Sequence, residues 1–117
     1  MRLRPAWRIG QMEFCDPYGW HGVNTETLGK VREKLRDFES MTFGEILGRN
    51  NHLVSTNQLS KDAQDRLAAL HLDDIEFLLS LRLTGAGRVW GLLEHNVVIL
   101  LWWDPEHQVC PSLLKHT

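Results

Sequence analysis

Apolar side chains recur along this chain with two periods, and the change between them divides it. From Trp7 to Phe14 apolar and polar residues roughly alternate, with Trp7, Ile9, Met12 and Phe14 as the apolar positions, which predicts a strand. Asp16-Pro17-Tyr18-Gly19 then has turn chemistry, because proline presets one turn dihedral and glycine permits the other. Leu28, Val31, Leu35 and Phe38 follow at spacings of three and four, a stripe along one helical face, with Asn24 as its N-cap. Thr42 and Glu45 form a capping box ahead of Phe43, Ile46 and Leu47, so a short second helix is expected to end near Gly48. Residues 49–59 are polar and are expected to form a loop. Ser60 caps a third helix, whose first turn carries Asp62 and whose buried side is Ala63, Leu67 and Leu70.

Beyond residue 75 the period drops from about 3.6 to 2. Phe77, Leu79, Leu81 and Leu83 fall on one side, and Leu78, Ser80, Arg82 and Thr84 on the other. Thr84-Gly85-Ala86-Gly87 is a turn, Arg88 to Leu93 a second strand, Glu94-His95-Asn96 a tight connection and Val97 to Trp103 a third strand. Links this short join only antiparallel neighbours. The chain is therefore expected to be one α+β domain: strand and turn over 1–23, helices over 24–72, and a three-stranded antiparallel meander over 75–110. The last strand is apolar at consecutive positions, which places it centrally, covered by helices on at least one side.

The chain has 117 residues, of which 43% are apolar and 24% charged, values ordinary for a folded globule. The longest apolar run, Val97 to Trp103, suits a strand and is far shorter than the roughly 18 residues a membrane helix needs. No apolar stretch follows Arg2, Arg4 and Arg8, so neither a leader nor a membrane partner is expected. The two cysteines, Cys15 and Cys110, make no disulfide framework, and the cytoplasm is the expected compartment. Formal net charge is −2, which argues against a uniformly basic nucleic-acid binder. Charge is local, however: Lys30, Arg32, Lys34 and Arg36 crowd one segment, and Asp73, Asp74 and Glu76 another.

Arg82 and Arg88 are the most informative pair, because each lies on a strand beside the same glycine turn. Two guanidiniums on stiff strands make a grip for phosphate or carboxylate. The bland alternative is an ion pair for each with a carboxylate of a covering helix, such as Asp62 or Asp65. In the run Trp102-Trp103-Asp104-Pro105-Glu106-His107, one tryptophan can be core while an exposed one stacks a base, which makes Trp102 a candidate substrate contact. His107, Lys115 and His116 lie near the C-terminus. Histidine moves protons near neutral pH and lysine offsets phosphate charge; the alternative for this segment is a polar tail. No metal-ligand spacing is present.

The run Leu81-Arg82-Leu83-Thr84-Gly85-Ala86-Gly87-Arg88-Val89-Trp90, a short turn and then Val97 to Trp103 resemble the C-terminal core of the RelE/ParE toxin superfamily. That core has an arginine on one strand, a small turn, arginine-valine-aromatic on the next strand, and an apolar third strand. The closest likeness covers about Phe77 to Cys110. The resemblance implies a RelE/ParE-like sheet with helices packed on one face, and the toxin half of a bacterial toxin–antitoxin pair. Its partners would be a small antitoxin and mRNA or the ribosome; other family members act on DNA gyrase. It implies a metal-independent endoribonuclease with no cofactor, in which Arg82 and Arg88 hold phosphate and His107 or His116 moves protons, with Lys115 beside the substrate. Cys110 stands near where such ribonucleases carry a tyrosine. A non-catalytic protein-interaction domain of the same fold is the first alternative, and an enzyme of other chemistry centred on Asp104, Glu106 and His107 the second.

Overall fold

The computed structural model describes residues 2–111. Among these, five strands and three α-helices follow in the order β1 (Ala6–Arg8), α1 (Thr25–Glu39), α2 (Phe43–Ile46), β2 (His52–Ser55), α3 (Lys61–Ala69), β3 (Phe77–Arg82), β4 (Arg88–Glu94) and β5 (Val97–Asp104). The class is α+β, built on a mixed sheet with strand order β1-β5-β4-β3-β2. β3, β4 and β5 pair antiparallel in sequence order, but as the middle of a larger sheet. β1 joins β5 in parallel and β2 joins β3 antiparallel.

Helix starts follow local chemistry. The Asn24 side chain accepts from the Thr27 N–H at 2.8 Å, Ser60 accepts from Ala63 N–H at 3.2 Å, and Thr42 with Glu45 forms the reciprocal capping box. These bonds satisfy orphan N–H groups of each first turn.

Three expectations are corrected. Helices cover both faces of the sheet, not one. Val31 and Phe38 of α1 with Phe43 and Ile46 of α2 pack on Leu79, Leu81, Val89, Val98 and Leu100. Ala63 and Leu67 of α3 pack on Leu78, Trp90, Leu92, Ile99 and Leu101 on the opposite side. The cause lies in β5, buried from Val98 to Asp104: apolar residues on both of its faces each require a cover. Second, β1 ends at Arg8 instead of running to Phe14. Its partner register covers only Val97 to Ile99, after which the chain leaves the sheet and Ile9 and Phe14 are 69% and 63% exposed. Third, the expected loop 49–59 contains β2, a four-residue edge strand too short and too polar to show an alternation.

A break in the β4–β5 ladder decides which residues share a face. Trp90 stands opposite Trp102, yet the next residue, Gly91, stands opposite Leu100, so β5 carries one extra residue at Leu101. Such a bulge reverses the inside–outside phase of everything beyond it. Leu101 and Trp102 consequently both join the core under α3, while Trp103 joins the core under α1 and α2. The bulge needs glycine at 91, where an added Cβ would lie 2.8 Å from the Ile99 carbonyl oxygen.

Candidate functional site

The sheet register places Arg82 directly opposite Arg88, and Arg88 directly opposite Asp104. The three therefore lie side by side on one face, at the end of the sheet where the β3–β4 turn closes. Directly opposed like charges on neighbouring strands repel, so this placement needs a physical reason.

The turn supplies part of it. Gly87 N–H donates to the Thr84 carbonyl at 2.9 Å, and Gly85 takes φ +53°, a conformation in which glycine has no Cβ penalty. Its carbonyl is aimed at both guanidiniums: Arg82 Nε donates to Gly85 O at 3.2 Å and Arg88 Nη1 at 2.7 Å. Arg88 Nη1 also donates to Gly87 O, at 3.1 Å, and Arg82 Nη1 to Asn50 Oδ1, also at 3.1 Å. One oxygen thus gathers two cations. Among the described residues neither arginine forms an ion pair. Asp65 pairs with Lys61 instead, so the covering-helix alternative is not realised through it. Arg82 Nη2 and the Nε and Nη2 of Arg88 have no protein acceptor among the described residues, which leaves a fork of donors for an anion.

Arg88 is half-buried, and its pKa is lowered, first by burial and then by the charge of Arg82, with Asp104 acting in the opposite sense. A guanidinium keeps its proton at neutral pH all the same, so Arg88 stays a cation despite its burial and the repulsion from Arg82.

Asp104 does not neutralise the pair by contact. Its carboxylate is 1% exposed and fully engaged: Oδ1 accepts from the Gln108 N–H at 2.8 Å, and Oδ2 from Trp90 Nε1 at 3.1 Å and the Val109 N–H at 2.9 Å. It closes the turn after β5 in which His107 sits with φ +56°. His107 is thereby held on the segment that starts beside Arg88. Cys110, close behind, has its pKa raised by burial and then by the Asp104 charge, and donates to the Gln58 carbonyl at 3.5 Å. It is a protonated, structural thiol at neutral pH.

Trp102 is removed from the substrate-contact role. It is fully buried, packed against Tyr18 with ring centroids 5.1 Å apart, and its Nε1 donates to Glu13 Oε1 at 2.8 Å. Lys115 and His116 lie outside the described residues.

Two contributors carried no sequence signal as site residues. Asn51, in the polar stretch before β2, accepts the Arg82 backbone N–H at 2.8 Å and donates to the Ile46 carbonyl at 3.2 Å. It thus holds Arg82 where β2 has not yet begun to pair. Glu13 accepts from Arg66 through both oxygens and from Trp102, which ties the segment after β1 to α3 and β5.

Burial pushes the Glu13 carboxyl up, but the hydrogen bonds from Arg66 and Trp102, the Arg66 charge and a Cys15 contact outweigh it, and its pKa lies below the ordinary 4.5. A folded pKa below the unfolded one means that the unfolded chain binds the proton more readily. The stabilisation is present above the unfolded pKa and disappears as pH falls through the folded one. Urea midpoints measured from pH 7 to pH 3 are expected to fall more steeply below about pH 4.5 in the wild type than in Glu13→Gln, by the contribution of this one group.

Among the described residues, no group of three or more His, Cys, Asp or Glu side chains is placed to hold a metal ion, and no helix is long and apolar enough to cross a membrane. No family model matches the chain, and no curated protein or solved structure matches it either.

Proposed function

We propose that this protein is a RelE/ParE-like, toxin-type protein that grips an RNA phosphodiester with Arg82 and Arg88 and is restrained by a small antitoxin. The observation that carries this reading is the convergence of both guanidiniums on Gly85 O, with further donors left over and no ion pair to either among the described residues. Hydrogen bonds to Gly85 O, Gly87 O and Asn50 Oδ1 already restrain these side chains, so less side-chain entropy is left to lose on binding.

In a cleavage at the 2′-hydroxyl, His107 takes the 2′ proton while the 2′ oxygen attacks phosphorus. Arg82 and Arg88 carry the negative charge of the pentavalent phosphate. The bond from phosphorus to the 5′ oxygen then breaks, and that oxygen collects a proton from water or His116. The products are a 2′,3′-cyclic phosphate and a 5′-hydroxyl, and the scheme uses no metal or cofactor.

Expression of the chain alone is expected to arrest bacterial growth and to yield RNA ends of that chemistry. Arg88→Ala should relieve the arrest and slow cleavage by about 10²-fold, the usual scale for losing one charge-stabilising donor, while melting cooperatively. A harmless wild type that binds no RNA overturns the proposal.

A non-catalytic interaction domain is the second reading, favoured by the cleft of about 410 Å³ between β1 and α1. Trp7, Ile9, Trp20, Leu28 and Leu35 line it; Ile9 and Leu28 are exposed, and among the described residues the indole N–H groups of Trp7 and Trp20 are buried without an acceptor. Exposed apolar surface of this kind marks sites of protein contact. A harmless wild type that co-purifies one stable partner, and loses it in Leu28→Glu, decides for this reading.

A further inference from the structure

Resting on the phosphate-binding reading of Arg82 and Arg88, we infer that Lys34, Asn50 and Thr84 form a second phosphate pocket with Arg82, so that the ligand is a single-stranded polynucleotide spanning two phosphates. The pocket has a volume of about 330 Å³ and lies where α1, the 49–51 segment and the β3–β4 turn meet. Among the described residues its walls are Lys34, Asn50, Asn51, Arg82, Leu83, Thr84 and Gly85, with no carboxylate.

The polar groups that remain open in this pocket are chiefly donors. Asn50 Oδ1 is occupied by Arg82 Nη1, which leaves the Asn50 amide N–H groups. Both ends of the Asn51 amide are occupied, by the Arg82 N–H and the Ile46 carbonyl, and Gly85 O is taken by the two arginines. Lys34 Nζ has no carboxylate within 4 Å among the described residues and lies 5.6 Å over the Phe38 ring. Glu33 and Asp37 of the same helix line the adjoining groove, which Lys34 shares with Lys30, Leu83 and Thr84. The ammonium therefore stands between a side with carboxylates and a side without them, and the second side is the one Arg82 lines.

Donors and two cations around a carboxylate-free cavity suit an anion with several oxygens and disfavour a cation or a neutral apolar ligand. Arg82 belongs both to this pocket and to the pair with Arg88, so cationic groups flank it on two sides. A single phosphate engages one of them; a strand with successive phosphates engages both. Leu83 gives the pocket one apolar wall against which a sugar or base can pack.

The test is the salt dependence of binding of a fluorescent single-stranded 12-mer RNA. Each phosphate contact contributes about 0.7 to the slope of log affinity against log salt for a single strand. Lys34→Ala is expected to lower the slope by about 0.7 and Lys34→Arg to restore it, with unchanged thermal melting. Asn50→Asp, which places a carboxylate in the pocket, should weaken RNA binding. Equal slopes for wild type and Lys34→Ala overturn the second pocket and leave the arginine grip standing. A wild type that binds no RNA overturns both.

Discussion

Asp104→Ala is expected to destabilise the protein by about 3–5 kcal/mol, the cost of stranding two buried donors and a third, half-buried one together. The carboxylate accepts from two backbone N–H groups and one indole, at 2.8–3.1 Å, and almost none of it meets solvent. Water cannot take over the Trp90 indole and Val109 N–H donors without opening the core around Trp90, itself fully buried. A domain of this size is stable by only about 5–15 kcal/mol, so the loss consumes a large share of the total. Urea denaturation followed by tryptophan fluorescence measures it as a large drop in midpoint at nearly constant slope. Glu106→Ala, an exposed neighbour in the same turn, is expected to stay within about 0.5 kcal/mol of wild type. A variant at position 104 as stable as wild type would show that the three donors find other acceptors.

Trp102→Ala should cost about as much, roughly 3–5 kcal/mol, by a different mechanism. It empties the volume of the largest kind of side chain between α3 and the sheet, against Tyr18. Trp102→Phe separates the two parts of the effect. It keeps an aromatic ring in place and removes only the N–H that Glu13 accepts, while Glu13 retains Arg66 as a bidentate donor. The loss for Trp102→Phe is expected to be about 1–2 kcal/mol. Equal losses for the two variants would mean that the hydrogen bond to Glu13, and not packing, accounts for the importance of this residue.

The arginine pair shows how far local pattern carries a site argument. Alternation from Phe77 onward puts Arg82 opposite in phase to Leu81 and Leu83, and the glycine turn returns the chain so that Arg88 stands across from it. Both facts follow from a period of two and a short link, so the pairing was legible. The third member was not. Counting alternate residues along β5 from Ile99 puts Asp104 and Trp102 on the α1 side of the sheet. One extra residue at Leu101 carries both to the α3 side, in line with Arg88 and Trp90. The sole local trace of that bulge is Gly91, whose need for an absent Cβ arises from a carbonyl on another strand.

The same division runs through the rest of the chain. Caps at Asn24, Thr42 and Ser60, the helical stripes and the two-residue period are interactions within a few residues, and the amino-acid order by itself determined them. Only the tertiary structure decided that Glu13 meets Arg66 and Trp102, that Asn51 holds the Arg82 backbone, that β2 pairs as an edge strand, and that Lys34 of a helix shares a pocket with Arg82 of a strand. Each of these joins groups more than 30 residues apart, except β2 with β3, whose pairing spans some two dozen. At such distances the partner is selected by which surfaces the packed sheet and helices bring together, and local preference carries no information about it.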